Sequence, residues 1–314
     1  MTTRRDFLKQ TSQTAAFIPF MNMPFVGSST DHLNAPLTVS IFSKHLQFLD
    51  CAAAAEAAAE MGFNGLDLTV RPGGHVEPAS VKEDLPIAMK RIRSAGGECS
   101  MITTSIESIR NPVDVDIIRT AAACGVQYYR TNWYKYPAGR SLPETLKHCA
   151  EQIKGLSELS NELRITGCYQ NHAGTDVGSS FWEVHQILTD AVPGYFGAQF
   201  DIRHAMVEGG FSWENGLALL RPRIKMIVLK DFRWEKVNGK WITLNTPIGE
   251  GMVDFTRYFR MLKDAGMKPP VSLHCEYSMG GAEKGERSIT VDKKIVFDAM
   301  KNDLSSVQRL WKES

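Results

Sequence analysis

The sequence has few cysteines, and no two of them form a CxxC motif. Its 6 cysteines are scattered over 314 residues, which argues against a zinc ribbon and against a thioredoxin-like redox motif. Neither sign of charge is in excess, because 36 Lys+Arg face 35 Asp+Glu and leave a formal net charge of +1. No run of basic residues is interleaved with aromatic residues. The sequence therefore carries no electrostatic signal for nucleic acid or an anionic membrane, and a small neutral or polar ligand is expected.

A glycine-rich phosphate loop is also missing. A doubly wound sheet that binds a dinucleotide has a GxGxxG motif directly after an early strand. Neither of the first two predicted strands, residues 37–42 and 65–70, is followed by one, and Gly73-Gly74 after Arg71-Pro72 predicts only a turn. We therefore expect no nucleotide cofactor, and we favour a closed barrel over an open doubly wound sheet.

Short β-rich segments alternate with amphipathic helical segments from residue 37 onward, as in a series of βα units with parallel strands. With 43% hydrophobic and 23% charged residues, the chain can bury a large core without disulfides or metals. Eight strands are predicted, the number that closes a TIM barrel. The fold class is therefore α/β, a single-domain (β/α)8 TIM barrel over residues 36–314. The predicted strands are Leu37–Phe42, Gly65–Val70, Glu98–Thr104, Tyr128–Trp133, Ile165–Gln170, Gly197–Asp201, Lys225–Lys230 and Val271–Glu276.

Helices are predicted between these strands from their end signals. Asp50 can cap an alanine-rich helix that Gly62 ends, and Pro143 suits the first turn of another helix because its missing N–H costs nothing there. The predicted helices include residues 50–61, 85–95, 143–163 and 255–265.

The N-terminus has the form of a twin-arginine export signal. Arg4 and Arg5 are followed by Phe-Leu-Lys and then by a moderately apolar stretch over residues 15–26, as such signals are. That stretch is too short, and too interrupted by Pro19 and Pro24, to span a bilayer as a helix, so stable membrane insertion is not expected. We predict that residues 1–35 are the signal and a linker and that the protein is exported to the periplasm. A disordered tail with two chance arginines is the alternative.

Polar side chains cluster where the last four predicted strands end, although buried strands normally carry apolar residues there. In a TIM barrel the active site lies at these carboxyl ends and on the loops that follow them. Side chains alternate between the two faces of a strand, so Lys230 shares a face with Val228, and His274 shares one with Glu276. We therefore predict a cup at the strand ends. It is lined by Gln170, His172, Asp201, Lys230, His274 and Glu276.

These strand ends, together with the segment PIGEGMVD at residues 247–254, resemble the xylose isomerase-like TIM-barrel superfamily, often called the sugar phosphate isomerases/epimerases. The resemblance covers residues 37–312. It implies one divalent metal, held by a Glu on the fifth strand, an Asp on the sixth, a His on the seventh and a Glu on the eighth. Those positions fall on Gln170, Asp201, Val228 and Glu276, so two of the four depart from the family pattern.

These departures leave two hypotheses about a metal cofactor. Gln170, Asp201 and Glu276 still offer oxygen atoms to Mn²⁺, Mg²⁺ or Zn²⁺, and His172 could replace a lost ligand. Two carboxylates and a neutral amide, however, bind a hard cation weakly. In the alternative, the Lys230 ammonium lies between Asp201 and Glu276 in place of the metal, where it can stabilise an enolate oxygen or act as a base.

The resemblance implies a carbohydrate substrate, and we predict isomerisation or epimerisation of a sugar or keto-sugar by proton abstraction next to a carbonyl. Glu276 and His172 are the acid/base candidates, and Lys230 and His274 complete the predicted catalytic set. Arginine, aromatic and polar side chains at other strand ends and loops are candidates for contacting the substrate. They are Arg71, His75, Arg130, Trp133, Asn171, His204 and Trp213.

Two other functions fit the same residues. A lyase or hydratase acting on 3-keto-glycosides would use the same enolate for β-elimination or hydration. A non-catalytic sugar-binding barrel would keep the pocket without a reaction. Individual residues also have structural interpretations, since Asp201 and Glu276 could form ion pairs with Lys230 and Arg203. Export argues against a phosphorylated sugar, because sugar phosphates are chiefly cytoplasmic.

Overall fold

The computed structural model describes residue 33 and residues 35–314. The predicted export signal at residues 1–35 therefore lies outside the described residues, apart from Leu33 and Ala35. Residues 36–314 form one compact unit. None of the helices in this described part of the chain is long and apolar enough to cross a membrane.

Eight parallel strands close into a barrel, which confirms the predicted fold class. Around the barrel each strand pairs with the next barrel strand along the chain, and the last pairs with the first. Neighbours in sequence are therefore neighbours in space, as right-handed βα units require. The barrel strands are β1 (Val39–Phe42), β2 (Gly65–Val70), β3 (Met101–Thr104), β4 (Tyr128–Arg130), β5 (Thr166–Gln170), β6 (Phe196–Asp201), β7 (Ile224–Leu229) and β10 (Val271–Leu273).

Helices surround the barrel, and their ends follow from local sequence. Asp50 accepts hydrogen bonds from the amides of Ala52 and Ala53, and Gly62 takes φ 94° where the helix ends, a conformation that favours glycine. Ser141 and Glu144 form a capping box at the start of the longest helix. The helices are α1 (Cys51–Met61), α2 (Val81–Ser94), α3 (Pro112–Ala123), α4 (Leu142–Leu163), α5 (Phe181–Ile187), α6 (Ile202–Gly209), α7 (Trp213–Leu220), α8 (Phe255–Asp264) and α9 (Lys293–Glu313).

The barrel interior has a small apolar layer of its own. Met101, Cys168 and Met226 pack together as a separate buried cluster, and they come from alternate strands, as layers inside TIM barrels do. The large core lies between the barrel and the helices. All six cysteines are free thiols. Apolar side chains thus fill the barrel below its mouth, the end at which the carboxyl ends of the strands lie.

A β-hairpin that we did not predict follows β7. Strands β8 (Asp231–Val237) and β9 (Lys240–Thr246) pair antiparallel, and Asn238 and Gly239 turn the chain with φ 48° and 79°, as a tight hairpin turn requires. Asp231 fixes the base of the hairpin, because its carboxylate accepts hydrogen bonds from the backbone amides of four residues. These are Phe232, Gly249, Gly251 and Val253, at 2.7–3.1 Å.

Two predicted strands run three residues past their observed ends. The last barrel strand ends at Leu273 instead of Glu276, because the backbone turns to let the Cys275 amide donate to His45 Nε2 at 3.2 Å. The fourth ends at Arg130 instead of Trp133. In both places the extra residues form the start of a loop at the barrel mouth. The polar side chains that follow these strands therefore lie on loops.

Candidate active site at the mouth of the barrel

Lys230 is the central cation at the mouth. It follows the last residue of β7 and is 3% exposed. Its Nζ lies 3.1 Å from Asp201 Oδ2 and 3.4 Å from Glu276 Oε2, and 2.8 Å from His204 Nε2. Since the barrel brings these strand ends together, one ammonium contacts groups from β6, α6 and the segment after β10. The structure brings Asp201, Lys230 and Glu276 together, as the sequence predicted.

Asp201 closes β6 and caps α6. Its Oδ1 accepts a hydrogen bond from the His204 amide at 3.0 Å, and its Oδ2 accepts from Gln170 Nε2 at 2.8 Å as well as from Lys230. Asn171 holds the same strand end, because it exchanges two hydrogen bonds with the Asp201 backbone at 2.8 and 2.9 Å. Burial raises the pKa of Asp201, while Lys230 opposes this rise. The carboxylate is therefore fully used by protein groups.

Glu276 is the more accessible carboxylate, with 23% of its side chain exposed. Burial raises its pKa, but the charge of Lys230 opposes burial, and the pKa lies well below the usual range. A carboxylate that is both ionised and partly open to the mouth can accept a proton from a bound substrate. Glu276 therefore has the properties of a general base.

His274 connects Glu276 to a buried polar chain. Ser272 Oγ donates to Asp67 Oδ2 at 2.6 Å, so the His274 Nε2–H must donate to Ser272 Oγ, 3.1 Å away. The unprotonated Nδ1 then faces Glu276 Oε1 at 3.6 Å. A proton taken up by Glu276 would complete a hydrogen bond across this gap. His274 thus positions Glu276 and can share its proton.

Asp67, at the far end of this series of hydrogen bonds, was not predicted from the sequence. It lies within β2, is fully buried, and accepts hydrogen bonds from Thr103 Oγ1 at 3.0 and 3.1 Å. Burial raises the pKa of Asp67, and the hydroxyl groups of Ser272 and Thr103 oppose this. The sequence analysis looked for polar residues at strand ends, and Asp67 lies three residues before the end of its strand.

An aromatic stack forms another side of the mouth. The ring of His172 lies 3.9 Å from that of His204 and 4.3 Å from that of Trp133, measured between centroids. Burial, followed by the charge of Lys230, lowers the pKa of His172 to about 4. His172 is therefore neutral at pH 7 and can accept a proton.

His204 contacts two cations. Burial, then Lys230, lower its pKa well below the usual range, so the imidazole is neutral and has one unprotonated nitrogen. Arg203 Nη1 lies 3.1 Å from Nδ1, and Lys230 lies near Nε2. The two cations compete for a single lone pair, and the ammonium of Lys230 keeps its carboxylate partners in either case.

Two arginines face the mouth from the opposite side. The Arg130 guanidinium lies over the Trp133 ring at 4.2 Å, and that of Arg71 lies over Phe42 at 5.4 Å. Phe42 in turn stacks on His274 at 4.3 Å. Burial and then the charge of Arg71 lower the pKa of Arg130. The predicted set Arg71, Arg130 and Trp133 is therefore brought to the mouth.

Two predicted substrate residues have structural contacts instead. Trp213 on α7 is 6% exposed and packs edge-on against Tyr258 in the core, with the ring centroids 6.1 Å apart. His75 Nδ1 lies 3.2 Å from both Ser43 Oγ and Thr69 Oγ1, so it ties its loop to the strand ends. Apolar packing and loop bonding occupy these two side chains.

His45 supports the site from below and was also missed. Its Nε2 accepts from the Cys275 amide, and its Nδ1–H donates to the Ala282 carbonyl at 3.3 Å. Burial lowers the pKa of His45 to about 4. The ring therefore fixes the backbone next to Glu276 as a neutral imidazole. Its place in a short 3-10 turn after β1 offered no pattern that distinguishes it from a loop residue.

The side chains at the mouth do not fit a divalent metal ion. Asp201 Oδ2 already accepts from Gln170 and Lys230, Val228 offers no donor atom, and the Lys230 ammonium would repel a second cation from the space between the carboxylates. Over the described residues there is no group of three or more His, Cys, Asp or Glu side chains that could hold a metal ion. Of the predicted ligands Gln170, Asp201 and Glu276, only Glu276 retains a partly open carboxylate.

Residues 55–291 match the family described as xylose isomerase-like TIM barrel. No curated protein has a matching sequence. Among solved structures, this chain is similar to a xylose isomerase-like TIM barrel protein from Mycobacterium smegmatis in complex with magnesium. The two share 11% sequence identity and superpose with a TM-score of 0.64, covering 88% of this chain and 97% of the other.

Two further similar structures carry named activities. One is the apo form of the 3-keto-D-glucoside 4-epimerase YcjR from E. coli, with 11% identity, a TM-score of 0.63, and coverage of 86% of this chain and 99% of that chain. The other is AsbF from Bacillus anthracis, described as a probable 3-DHS dehydratase, with 14% identity, a TM-score of 0.60, and coverage of 86% and 98%. At these identities the similarity establishes the fold.

Proposed function

This chain belongs to the xylose isomerase-like TIM-barrel family, and from that premise we propose that it is an enzyme that isomerises or epimerises a sugar or keto-sugar. The reaction is proton abstraction from a carbon next to a carbonyl, followed by return of the proton. The observation that carries the proposal is the position of the Lys230 ammonium, 3.1 Å from Asp201 and 3.4 Å from Glu276, beside two neutral imidazoles.

Glu276 and His172 act as the acid and base. Glu276 is ionised and backed by His274, and His172 is neutral, so each can take a proton at neutral pH. They stand on different segments, Glu276 after β10 and His172 after β5. In isomerisation, Glu276 removes a proton from one carbon and, as the carboxylic acid, returns it to the neighbouring carbon. In epimerisation, Glu276 removes the proton from one face, His172 takes a proton from solvent and delivers it to the other face, and Glu276 then releases its proton to solvent.

Lys230 stabilises the enolate oxygen in place of a metal ion. A fixed cation aimed at the developing negative charge lowers the barrier because it needs no reorganisation during the step. The ammonium is held in place by Asp201. We propose that the reaction proceeds without a divalent metal, and that the lysine was able to take this place because Val228 and Gln170 no longer supply metal ligands.

A second candidate function is a lyase or hydratase that acts on 3-keto-glycosides through the same enolate. It is favoured by the similarity to the E. coli 3-keto-D-glucoside epimerase and to the B. anthracis dehydratase. In that case Glu276 would remove the proton and, as the carboxylic acid, deliver it to the departing oxygen. The product distinguishes the two functions, because only elimination yields an unsaturated sugar.

Incubation in D₂O tests the proposal. Sugars and keto-glycosides are incubated with the purified protein, and deuterium on carbon is followed by mass spectrometry and NMR. We expect deuterium uptake that persists after exhaustive chelation and falls at least about 100-fold in Glu276→Gln. Uptake that chelation abolishes and Mn²⁺ restores would refute the lysine mechanism. If sugars bind but none of them takes up deuterium, the result would support a non-catalytic barrel.

Export to the periplasm through a twin-arginine signal is a separate proposal, based on Arg4 and Arg5, the Phe-Leu-Lys that follows them and the apolar stretch over residues 15–26. The full chain should fractionate with the periplasm, and Arg4→Lys with Arg5→Lys should retain it in the cytoplasm. Equal periplasmic amounts of both chains would refute the proposal.

A further inference from the structure

Arg130 holds a buried guanidinium that the protein does not neutralise. The residue ends β4 and is 3% exposed. Its Nη1 is buried and has no hydrogen-bond partner, and the side chain forms no ion pair with any carboxylate of residues 35–314. The guanidinium lies over the Trp133 ring, 4.2 Å from its centroid. Leaving such a cation without an acceptor is costly, so a partner from outside the chain is expected.

Arg71 places a second cation beside the first. Arg71 directly follows β2, and β3 pairs with both β2 and β4, so the two arginines stand two strands apart at the same end of the barrel. Like Arg130, Arg71 has no ion-pair partner in the described part of the chain. Two like charges that are both partly or fully buried repel each other, and an anion between them removes both the repulsion and the missing hydrogen bonds. The aromatic rings of Phe42 and Trp133 keep each guanidinium in place before any ligand arrives.

The nearby carboxylates are committed elsewhere. Asp67 accepts hydrogen bonds from Thr103 and from Ser272, and Glu276 contacts Lys230. Neither reaches ion-pair distance of Arg71 or Arg130. The anion that would satisfy the two arginines therefore has to be part of the ligand.

We propose that Arg71 and Arg130 form a subsite for a carboxylate group of the substrate, which makes the substrate a sugar acid. This inference rests on the proposed function, because it places the reacting carbon of that acid between Glu276 and His172. A planar guanidinium binds a carboxylate through two parallel hydrogen bonds. A phosphate is less favoured, since the Asp201 carboxylate caps the start of α6 and would repel a phosphate at that helix end.

Paired ligands test the subsite by titration calorimetry on the purified full chain at low salt. The pairs are D-glucuronate with D-glucose, D-galacturonate with D-galactose, and D-gluconate with D-sorbitol. We expect at least one acid to bind about tenfold or more tightly than its neutral counterpart, as a charge-assisted pair of hydrogen bonds implies. Neutral sugars that bind as tightly as every acid would overturn the proposal. Tighter binding of glucose 6-phosphate than of any acid would replace carboxylate by phosphate.

Variants of the two arginines identify the site. Arg130→Met should abolish the preference for the acid and leave the thermal midpoint at or above that of wild type, because an unpaired buried charge is removed. A purely structural arginine would lower the midpoint instead. Arg130→Lys should keep part of the preference, Arg71→Met is the second variant if Arg130→Met fails to fold, and the exposed Arg260→Met is the control that changes nothing.

Deuterium exchange separates this inference from the proposed function. An acid that binds with the predicted preference but takes up no deuterium leaves the carboxylate subsite standing and refutes the proton-abstraction chemistry. A neutral sugar that takes up deuterium, in a protein without preference for acids, supports the chemistry and refutes the subsite.

Discussion

Lys230 Nζ and Asp201 Oδ2 lie 3.1 Å apart, with exposures of 3% and 0%, at the end of two neighbouring barrel strands. A TIM barrel brings polar groups together at the carboxyl ends of its strands, and here a lysine lies among them. An ammonium so placed serves two purposes, since it neutralises a buried carboxylate and presents a positive charge to the mouth. The predictions that follow separate these two purposes.

Replacing Lys230 by Met should remove the charge that we propose stabilises the enolate. We expect deuterium exchange to fall about 100- to 1000-fold, the usual effect of losing one such group. The variant also leaves Asp201 buried without its cation, which costs about 3–5 kcal/mol of stability. The measurement is the exchange rate in D₂O, with circular dichroism to verify the fold.

The double variant Lys230→Met with Asp201→Asn is the matched control for folding. It removes both charges, so the free energy of unfolding should recover relative to Lys230→Met while exchange stays low. Recovery of exchange in the double variant would show that Lys230 has a structural role only.

A metal site can be rebuilt at the same place. The triple variant Gln170→Glu, Val228→His and Lys230→Met restores the charged and imidazole donors that the family pattern implies, and removes the competing ammonium. We expect it to bind about one equivalent of Mn²⁺ in calorimetry, because a divalent ion prefers such a set. Lys230→Met alone is the control and should not gain tight binding. Stoichiometric tight binding by the wild-type protein would contradict the proposed role of Lys230.

The barrel could be predicted from sequence because its strands are buried and its helices are capped by local signals. β2 was predicted with its observed ends, and Asp50 caps α1 as expected. The hairpin was missed although Asn238-Gly239 lies between two segments of strand-forming residues. That dipeptide is a strong hairpin signal, but the predicted strands were only the eight that close the barrel.

The site was predictable only where side chains follow strand ends. Lys230 and Glu276 were found in this way, and alternation correctly placed Lys230 on the inner face. Asp67 and Ser272 were missed because they lie within strands and are 205 residues apart. Period-two alternation gives the face of a residue but not its partner across a closed barrel, so the hydrogen-bonded chain behind Glu276 needs the three-dimensional structure.

Asp231→Asn should destabilise the protein, because the carboxylate accepts four backbone amides at the base of the hairpin. An amide group turns its NH₂ toward two of these donors and leaves them unpaired. We expect a loss of about 2–4 kcal/mol in the free energy of unfolding, measured by urea denaturation. The control is Asp254→Asn at the start of α8, where asparagine caps a helix as well as aspartate does. A loss no larger than that of the control would show that the four hydrogen bonds contribute little.

Asp303 on α9 should make the protein less stable as pH rises. Its Oδ1 accepts from the Ile248 amide at 2.9 Å and its Oδ2 accepts from Tyr277 at 3.0 Å. Burial raises the pKa of Asp303 from 3.8 to about 6. The folded state therefore holds the proton more tightly than the unfolded state, and the contribution of Asp303 to stability falls between about pH 4 and pH 6 and is constant above that range.

Asp303→Asn tests this sign, because asparagine keeps an acceptor for Ile248 and cannot ionise. The free energy of unfolding of the variant, relative to wild type, should rise by about 1–3 kcal/mol between pH 4 and pH 7. Urea denaturation of both proteins at steps of pH gives this difference and cancels the titration of all other groups. A difference that stays constant over the range, or that falls with pH, would show that burial does not hold the proton on Asp303.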